Sequence, residues 1–508
     1  MPSEPIAAAI QDAEPIVDLR VLAEYPLNDT GNASRLIARF GSQILNVDGH
    51  GWLAWDGRRF ASGEAGEARA IIFAQETAGR IAEETLVLEA PAKTKSSAQE
   101  PRPKRKTSVL ARLRSKRLSF STASGNSGRV RAMLEMALPS LRRTAAELDR
   151  DPFKINTSNG TLLLQARNTP GDPFILQSHR RSDLLTKLTN VTFDPSAECP
   201  TFMAFLARIM PDPELRHFLQ VWLGYCLTGN TSEQVIVICY GSGANGKSTL
   251  LDVIRFILGE YVAMLPVETL LEGDHRRGGD ASPEIARLPG VRLALANEPS
   301  SSAKLSESTI KMLTGEEAVP TRKLFKDIFE FIPCFKIMLT TNTLPKILGH
   351  DEGIWRRICL LPFEAFIPPE ERDRVLPSKL KAEAAGIFNW MLEGFLEWRE
   401  IGLPKTGRIV AAVKAYREES DPIGEFMRDC TRRAEGQRVA ASGLYHAYIK
   451  WMHRNFGDKG AIHSMQAFGR RLTDLGYTKE KCGLYFYQGV ELLQKADEGV
   501  DGATHGES

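Results

Sequence analysis

One stretch constrains this chain more than any other. Val235-Ile236-Val237-Ile238-Cys239-Tyr240 runs straight into Gly241-Ser242-Gly243-Ala244-Asn245-Gly246-Lys247-Ser248-Thr249, and Leu250, Leu251, Val253, Ile254, Ile257 and Leu258 follow at helical spacing. A strand, a Gly-x-x-x-x-Gly-Lys-Ser loop and an apolar helix stand in the order a phosphate-binding loop requires. Glycine lets the backbone wrap closely enough for its N–H groups to cradle phosphates at the positive end of the helix. The expectation is a site for ATP and Mg²⁺, with Lys247 reaching the β- and γ-phosphates and Ser248 holding the metal.

Such a loop needs a second strand ending in acid, to hold the metal through water and polarise the attacking water. Val291–Ala296 followed by Asn297-Glu298 offers one, and Glu298 is the candidate carboxylate. A third apolar run, Cys334–Thr341, ends at Asn342. An amide at the tip of a strand beside the phosphate loop is placed to touch a γ-phosphate and orient water, so Asn342 is the candidate sensor. Next come Asp351-Glu352-Gly353-Ile354-Trp355-Arg356-Arg357 and the strand-like Ile358–Phe363. Arg356 or Arg357 can act as a finger inserted into a neighbouring subunit's site.

At 508 residues the chain exceeds one core, and two to four domains are expected. The formal charge of +2 hides an uneven distribution. Between Pro91 and Leu118, ten Lys and Arg residues face the single acid Glu100. That run suits a solvated linker and phosphate binding alike. Seven scattered cysteines without a Cys-x-x-Cys pair exclude a zinc ribbon and a disulfide framework, and point to a reducing compartment. No apolar run approaches a membrane span and the N-terminus lacks the basic character of a signal peptide, so a cytoplasmic protein is expected.

Ahead of the phosphate loop, Asn28–Asn32 reads as a helix cap, Ala33–Phe40 as a helix, and Ile44–Val47 and Trp52–Trp55 as strands, with Asp56-Gly57 as a hairpin turn. Trp52 and Trp55 read as core. Helices are expected over 68–82, 128–147, 202–210 and 214–228. Asp149 and Asp151 form an Asp-x-Asp pair of the type that binds two metals, but beside Pro152 they read as turn caps.

The order of phosphate loop, acidic strand end, basic loop, Asn strand end and Arg-Arg resembles the helicase domain of the phage and plasmid primase-helicases, of poxvirus and satellite-phage type, in helicase superfamily 3. The resemblance is carried by Gly241–Thr249, Leu305–Gly315, Thr321-Arg322, Phe329–Phe335, Thr341-Asn342 and Trp355–Ile358. It implies Lys247 and Ser248 on phosphate and Mg²⁺, Glu298 as the acid, Asn342 as sensor and Arg356 or Arg357 as finger. It further implies Lys311 and Arg322 facing nucleotide and DNA, and a pore hairpin at Arg322–Lys326, where Lys323 and Lys326 meet phosphates and Phe325 stacks or wedges at a base. A homo-oligomeric ring, most simply a hexamer, acting on single-stranded or forked DNA follows from the same resemblance. Two departures stand out. Asn297 replaces the first of two adjacent carboxylates, and residues 1–130 show neither Asp-x-Asp nor a zinc ribbon, which assigns primer synthesis to a separate primase.

After the core, 370–400 and 411–419 read as helices. Helices over 423–431, 442–452 and 464–475, then a hairpin around Gly483, fit a winged helix, with Arg470 and Arg471 on its third helix as DNA-binding candidates. The expected fold class is α/β: a P-loop, AAA+-like parallel-sheet ATPase core with an N-terminal α+β region and a C-terminal winged-helix domain. The expected divisions are 1–90, a small α+β module; 91–127, a basic linker; 128–230, a helical region; 231–365, the ATPase core; 366–420, a helical connector; 421–495, the winged helix; and 496–508, a disordered tail. The function expected is an ATP-dependent, ring-forming DNA helicase of phage, prophage or plasmid replication. The alternatives are an ATPase that loads or packages DNA without unwinding it, and an ATP-assembled replication initiator.

Overall fold

The computed structural model describes residues 17–89, 106–165, 171–273, 282–297, 303–322, 328–347, 351–456 and 462–493. Glu298, Lys323, Phe325, Lys326, the run 91–105 and the tail 496–508 lie outside them.

The first elements are helices α1 (Leu19–Glu24) and α2 (Asp29–Phe40), strands β1 (Ile44–Val47), β2 (Gly51–Trp55) and β3 (Phe60–Ala61), helices α3 (Gly63–Arg80), α4 (Lys106–Ser124) and α5 (Ser127–Leu141), and strand β4 (Arg142–Arg143). Asn28 caps α2 by accepting from Gly31 N at 2.8 Å, as its position in sequence suggests. The sheet runs β3-β2-β1-β4, and Leu36, Phe40, Phe73, Met133 and Leu134 pack against Trp52 on it. The basic run is helical from Lys106 onward rather than a linker through 127. Arg117 of α4 reaches the buried carboxylate of Glu84, which Arg35 also grips at 2.6 Å. Two buried arginines on one buried glutamate tie α4 to the module before the run.

A meander of β5 (Lys154–Thr157), β6 (Gly160–Leu164) and β7 (Phe174–Gln177) follows. Asp149 and Asp151 sit in the turn that feeds it. Asp149 accepts from Thr186 N and Oγ1 at 2.9 and 2.6 Å, and Asp151 from Phe153 N at 2.9 Å.

Helices α6 (Pro200–Ile209) and α7 (Pro213–Cys226) lead into the central sheet. Its strands are β8 (Ile236–Tyr240), β9 (Val262–Met264), β10 (Leu293–Asn297), β13 (Lys336–Thr341) and β14 (Ile358–Pro362), in the order β14-β8-β13-β10-β9 and parallel throughout. Between them lie α8 (Lys247–Leu258), α9 (Pro283–Ala286), α10 (Glu307–Leu313), the antiparallel pair β11 (Val319–Thr321) and β12 (Phe329–Phe331), and α11 (Glu352–Trp355). The strands read as continuous apolar runs because both faces are buried. Val237, Cys239, Leu293, Leu295, Met338 and Leu361 point into one core, with α7, α8 and the later helix α13. Their alternates Ile236, Ile238, Ala294, Ala296, Ile337 and Leu360 point into another.

Helices α12 (Leu376–Ala382), α13 (Ala384–Ile401) and α14 (Gly407–Glu419) wrap this unit. Where α7 crosses α13, a Cβ on Gly224 would lie 2.1 Å from Phe395 N, so the crossing requires glycine.

The last unit has α15 (Pro422–Cys430), β15 (Thr431–Ala440), α16 (Ala441–Phe456), α17 (Met465–Asp474), β16 (Lys479–Cys482) and β17 (Leu484–Leu492). The expected three helices and hairpin are present, and β15 adds an outer strand in the order β15-β17-β16. Its sequence, TRRAEGQRVA, is mostly exposed and lacks an apolar alternation to reveal it. Among the described residues, no helix is long and apolar enough to cross a membrane.

Candidate active site

Because the five central strands are parallel, their C-terminal ends share one edge of the sheet, where open α/β folds place ligands. Tyr240 at the end of β8 is paired with Thr341 of β13 and Pro362 of β14, and Asn297 of β10 with Thr340. The Gly-rich loop, Asn342 and the chain leading to Glu298 therefore leave the sheet side by side.

The loop is held from outside. Asn245 is buried; its Nδ2 donates to Phe363 O at 3.1 Å, and its Oδ1 accepts from Lys247 N at 3.4 Å. Ile367 N donates to Ala244 O at 2.8 Å. Gly243, Ala244 and Gly246 all have positive φ (76°, 51° and 82°). Such a run turns backbone N–H groups toward a common point, which is how anion nests form. Gly246 is fixed twice over, since a Cβ there would also lie 2.4 Å from Ile209 Cγ2 on α6. Helix α8 begins at Lys247 and presents its positive end to the same place.

Lys247 is buried, and its ammonium donates to Gly241 O at 2.6 Å and to Asn342 Oδ1 at 3.5 Å. On the next strand, Thr340 Oγ1 donates to Asn297 Oδ1 at 2.7 Å. A cleft of about 810 Å³ opens here. It is lined by Gly243–Thr249, Asp252, Asn297 and Thr340–Asn342, with Phe205 and Arg208 of α6 and the segment around Ile367 and Arg372 closing the far side. Its size suits a nucleotide-sized ligand. Ser248 and Thr249 also line it. The contributions of Thr340, Arg208 and Glu371 went unread in the sequence. Arg208 crosses the mouth to Glu371 at 2.7 Å, a pair separated by 163 positions that no local pattern announces.

The arginine pair lies elsewhere. Ile236 N donates to Arg357 O at 2.8 Å, so both arginines sit at the N-terminal ends of β8 and β14, across the sheet from the cleft. Arg357 is buried and donates to Gly353 O at 2.6 Å, Thr314 Oγ1 at 3.2 Å and Gln234 Oε1 at 3.2 Å. Burial lowers its pKa from the ordinary value, and the neighbouring Arg356 charge adds to the effect. Arg356 is exposed and shares Gln234 at 3.2 Å.

Of the residues expected to face DNA, Lys311 is paired with Asp351 and lies 3.9 Å from Glu307. Arg322 is half-buried where β11 ends, and its Nε has no hydrogen-bond partner among the described residues. Thr321 pairs with Phe329 across the base of the expected hairpin, whose tip is outside the described residues. Arg471 forms a 2.6 Å ion pair with buried Asp421, whereas Arg470 is exposed.

Among known families, the model for "D5 N terminal like" proteins matches residues 33–211, a "Family of unknown function (DUF5906)" matches 239–357, and the "Poxvirus D5 protein-like" model matches 418–488. "Putative helicase L207/L206" of Acanthamoeba polyphaga mimivirus is 28% identical over 335 residues, covering 61% of this chain and 34% of that protein. "Putative helicase 022R" of Frog virus 3 is 28% identical over 50% of this chain and 28% of its own length. "Putative primase C962R" of African swine fever virus (isolate Tick/Malawi/Lil 20-1/1983) is 22% identical over 62% of this chain and 35% of its own. The chain thus spans about a third of the length of these curated relatives. A solved structure, the apo A form of the NrS-1 C-terminal region, aligns with a TM-score of 0.37 and 15% identity over 58% of this chain and 76% of that one. With D5-type matches on both sides of the central sheet and helicases and primases of viruses among its relatives, the chain is similar to the D5-like primase-helicases.

Proposed function

We propose that this chain is an ATP-dependent DNA helicase of a phage, prophage or plasmid replication system that works as a ring, most simply a hexamer. The observation that carries the reading is the convergence of the Gly-rich loop, Lys247, Asn342 and the β10 end on one edge of a parallel sheet, beside a cleft of about 810 Å³. The strand order supports an AAA+-like core: the strand before the Gly-rich loop lies between the Asn-tipped strand and the strand after the arginines.

The donors present fit a nucleotide triphosphate with Mg²⁺: left-handed loop residues that aim N–H groups inward, a helix start and a buried lysine. Lys247 and the loop N–H groups hold the β- and γ-phosphates. Ser248 would hold the metal, with Glu298, the next residue in sequence after β10, as the acidic partner. Mg²⁺ supplies charge neutralisation at the phosphates. Asn342, already within reach of the Lys247 ammonium, orients the attacking water, and Glu298 takes its proton. Phe205 and Ile367 give the cleft apolar wall beside the loop. Arg356, exposed and on the opposite sheet edge, serves a neighbouring subunit's site; Arg357 is committed within its own subunit.

On the DNA side, the antiparallel β11–β12 pair flanks the segment that carries Lys323, Phe325 and Lys326, the residues assigned here to tracking one strand through the ring, with Arg322 just after β11. Lys311 steadies Asp351, which caps α11 just before Arg356, and so acts at the subunit boundary rather than on DNA. The Asp149 carboxylate accepts from Thr186 and that of Asp151 from Phe153 N, so this pair is read as structural rather than as a two-metal site. Unwinding of a forked duplex by wild type, and its loss in Lys323→Ala with Lys326→Ala while Lys247-dependent hydrolysis persists, tests the helicase assignment. Unwinding that survives both substitutions contradicts it.

A further inference from the structure

A second cavity, of about 820 Å³, opens on the edge of the central sheet opposite the nucleotide cleft. Residues 229–231, Arg292 and Cys334 line it, and these stand just ahead of β8, β10 and β13. Leu53 of β2 and residues of the turn before β5 line it from the other side, so it lies where the N-terminal units meet the sheet.

Its most buried wall is cationic and incompletely paired. Arg292 is fully buried; its Nη2 donates to Lys154 O at 3.3 Å and to Asp151 O at 3.5 Å, whereas its Nε and Nη1 have no hydrogen-bond partner among the described residues. A buried guanidinium left with two bare nitrogens is costly, and such groups are ordinarily met by a bound ion or water. Lys336 stands beside it, since Lys336 N donates to Arg292 O at 2.9 Å, and both side chains close on one loop. A Cβ on Gly229 would lie 1.6 Å from Arg292 Nη1, and the Lys336 ammonium donates to Thr228 O and Asn230 O on either side of that glycine. The hydrogen bonds of both cations thus go to backbone carbonyls, with no carboxylate among them.

The remaining lining continues the pattern. Arg150 and Arg287 are exposed and Lys187 half-buried there, against exposed Glu316 and Glu330. Asp149 also lines the cavity, but Thr186 occupies both of its oxygens. Leu148, Pro289, Ile332 and Pro333 supply apolar wall.

We propose that this cavity binds a phosphate group, seated on Arg292 and drawn in by Arg150, Lys187 and Arg287. Arginine suits a phosphate because its planar array of N–H groups meets several oxygens at once. The volume and the apolar wall suit an organic phosphate ester of nucleoside-monophosphate size. The site lies across the sheet from the Gly-rich loop and does not rest on the helicase reading.

The test is calorimetric titration of the full chain with thymidine 5′-monophosphate, inorganic phosphate and thymidine, in a Lys247→Ala background that weakens phosphate capture at the Gly-rich loop. Both phosphates are expected to bind, and thymidine to bind at least about tenfold more weakly than its monophosphate. A tighter hold on the monophosphate than on inorganic phosphate identifies an organic ester as the occupant, and equal affinity identifies free phosphate. Arg292→Met is expected to weaken binding of the monophosphate roughly tenfold or more. Arg150→Ala with Arg287→Ala changes two exposed positions, so it is expected to weaken binding about threefold to tenfold with an unchanged thermal midpoint. The rim pair decides the question even where Arg292→Met fails to fold. No binding of either phosphate at millimolar concentration overturns the proposal. So does binding that neither variant changes, which belongs to the nucleotide cleft.

Discussion

The Lys247 ammonium lies 3.5 Å from the Asn342 side-chain oxygen, although the two residues are 95 positions apart. Parallel pairing of β8 with β13 brings them together, since Tyr240 and Thr341 stand opposite each other and each candidate follows its strand end. Asn342→Ala is therefore expected to lower ATP turnover roughly 10²-fold, the usual effect of removing one preorganised hydrogen-bonding group, while nucleotide binding stays within about threefold. Steady-state hydrolysis beside equilibrium binding of a fluorescent nucleotide checks it. An equal fall in both would make Asn342 a binding residue only.

The two adjacent arginines are expected to fail differently. Arg356→Ala removes an exposed side chain, so it abolishes turnover without moving the thermal midpoint, and mixing with Lys247→Ala subunits partly restores turnover. Arg357→Ala strips hydrogen bonds from Gly353 O and Thr314 and lowers the midpoint, at a cost of roughly 1–3 kcal/mol. Mixed-subunit hydrolysis and thermal melts on the same preparations separate the two roles.

Lys336 on β13 is fully enclosed; its ammonium donates to Thr228 O and Asn230 O and lies 4.6 Å from the Tyr225 ring centre. Burial pushes its pKa down to about 7. In the unfolded chain it stays protonated to about pH 10.4, so between these values the unfolded state binds the extra proton and stability rises with pH, by up to about 1.4 kcal/mol per unit. Below about pH 7 both states are protonated and the contribution stays flat. Lys336→Met is expected to flatten the rise in melting temperature between pH 7 and 9. A slope equal to wild type would show that the amine is charged when folded.

Glu84 neutralises two buried arginines from different helices, Arg35 of α2 and Arg117 of α4. Glu84→Ala strands both charges and is expected to cost about 3–5 kcal/mol, read as an early unfolding transition and protease cleavage near α4. Double replacement of Glu84 and Arg117 by Met should recover part of that stability.

Much of this architecture was legible because local pattern and tertiary role agree. The six apolar residues before Gly241 are a strand buried on both faces, and the Asn28 cap, the β1 and β2 strands and the Gly483 hairpin all fall within a residue or two of their signals. What could not be read depends on partners far away. β15 is a polar outer strand recognisable only by its pairing with β17. The helix within the basic run is anchored by Arg117 on Glu84, 33 positions earlier. Arg356 and Arg357 look equivalent in sequence, and only the packing of β14 against β8 turns one inward and leaves the other outside. Arg470 and Arg471 divide in the same way, by helical phase against Asp421.

The measurement closest to the central claim is ATP hydrolysis by the purified chain with and without single-stranded DNA, beside Lys247→Ala, with assembly mass determined by light scattering on the same samples. The expected result is turnover that depends on Lys247, rises with DNA and occurs in a ring-sized assembly. Absence of turnover, or turnover indifferent to DNA in a monomer, would contradict the motor mechanism.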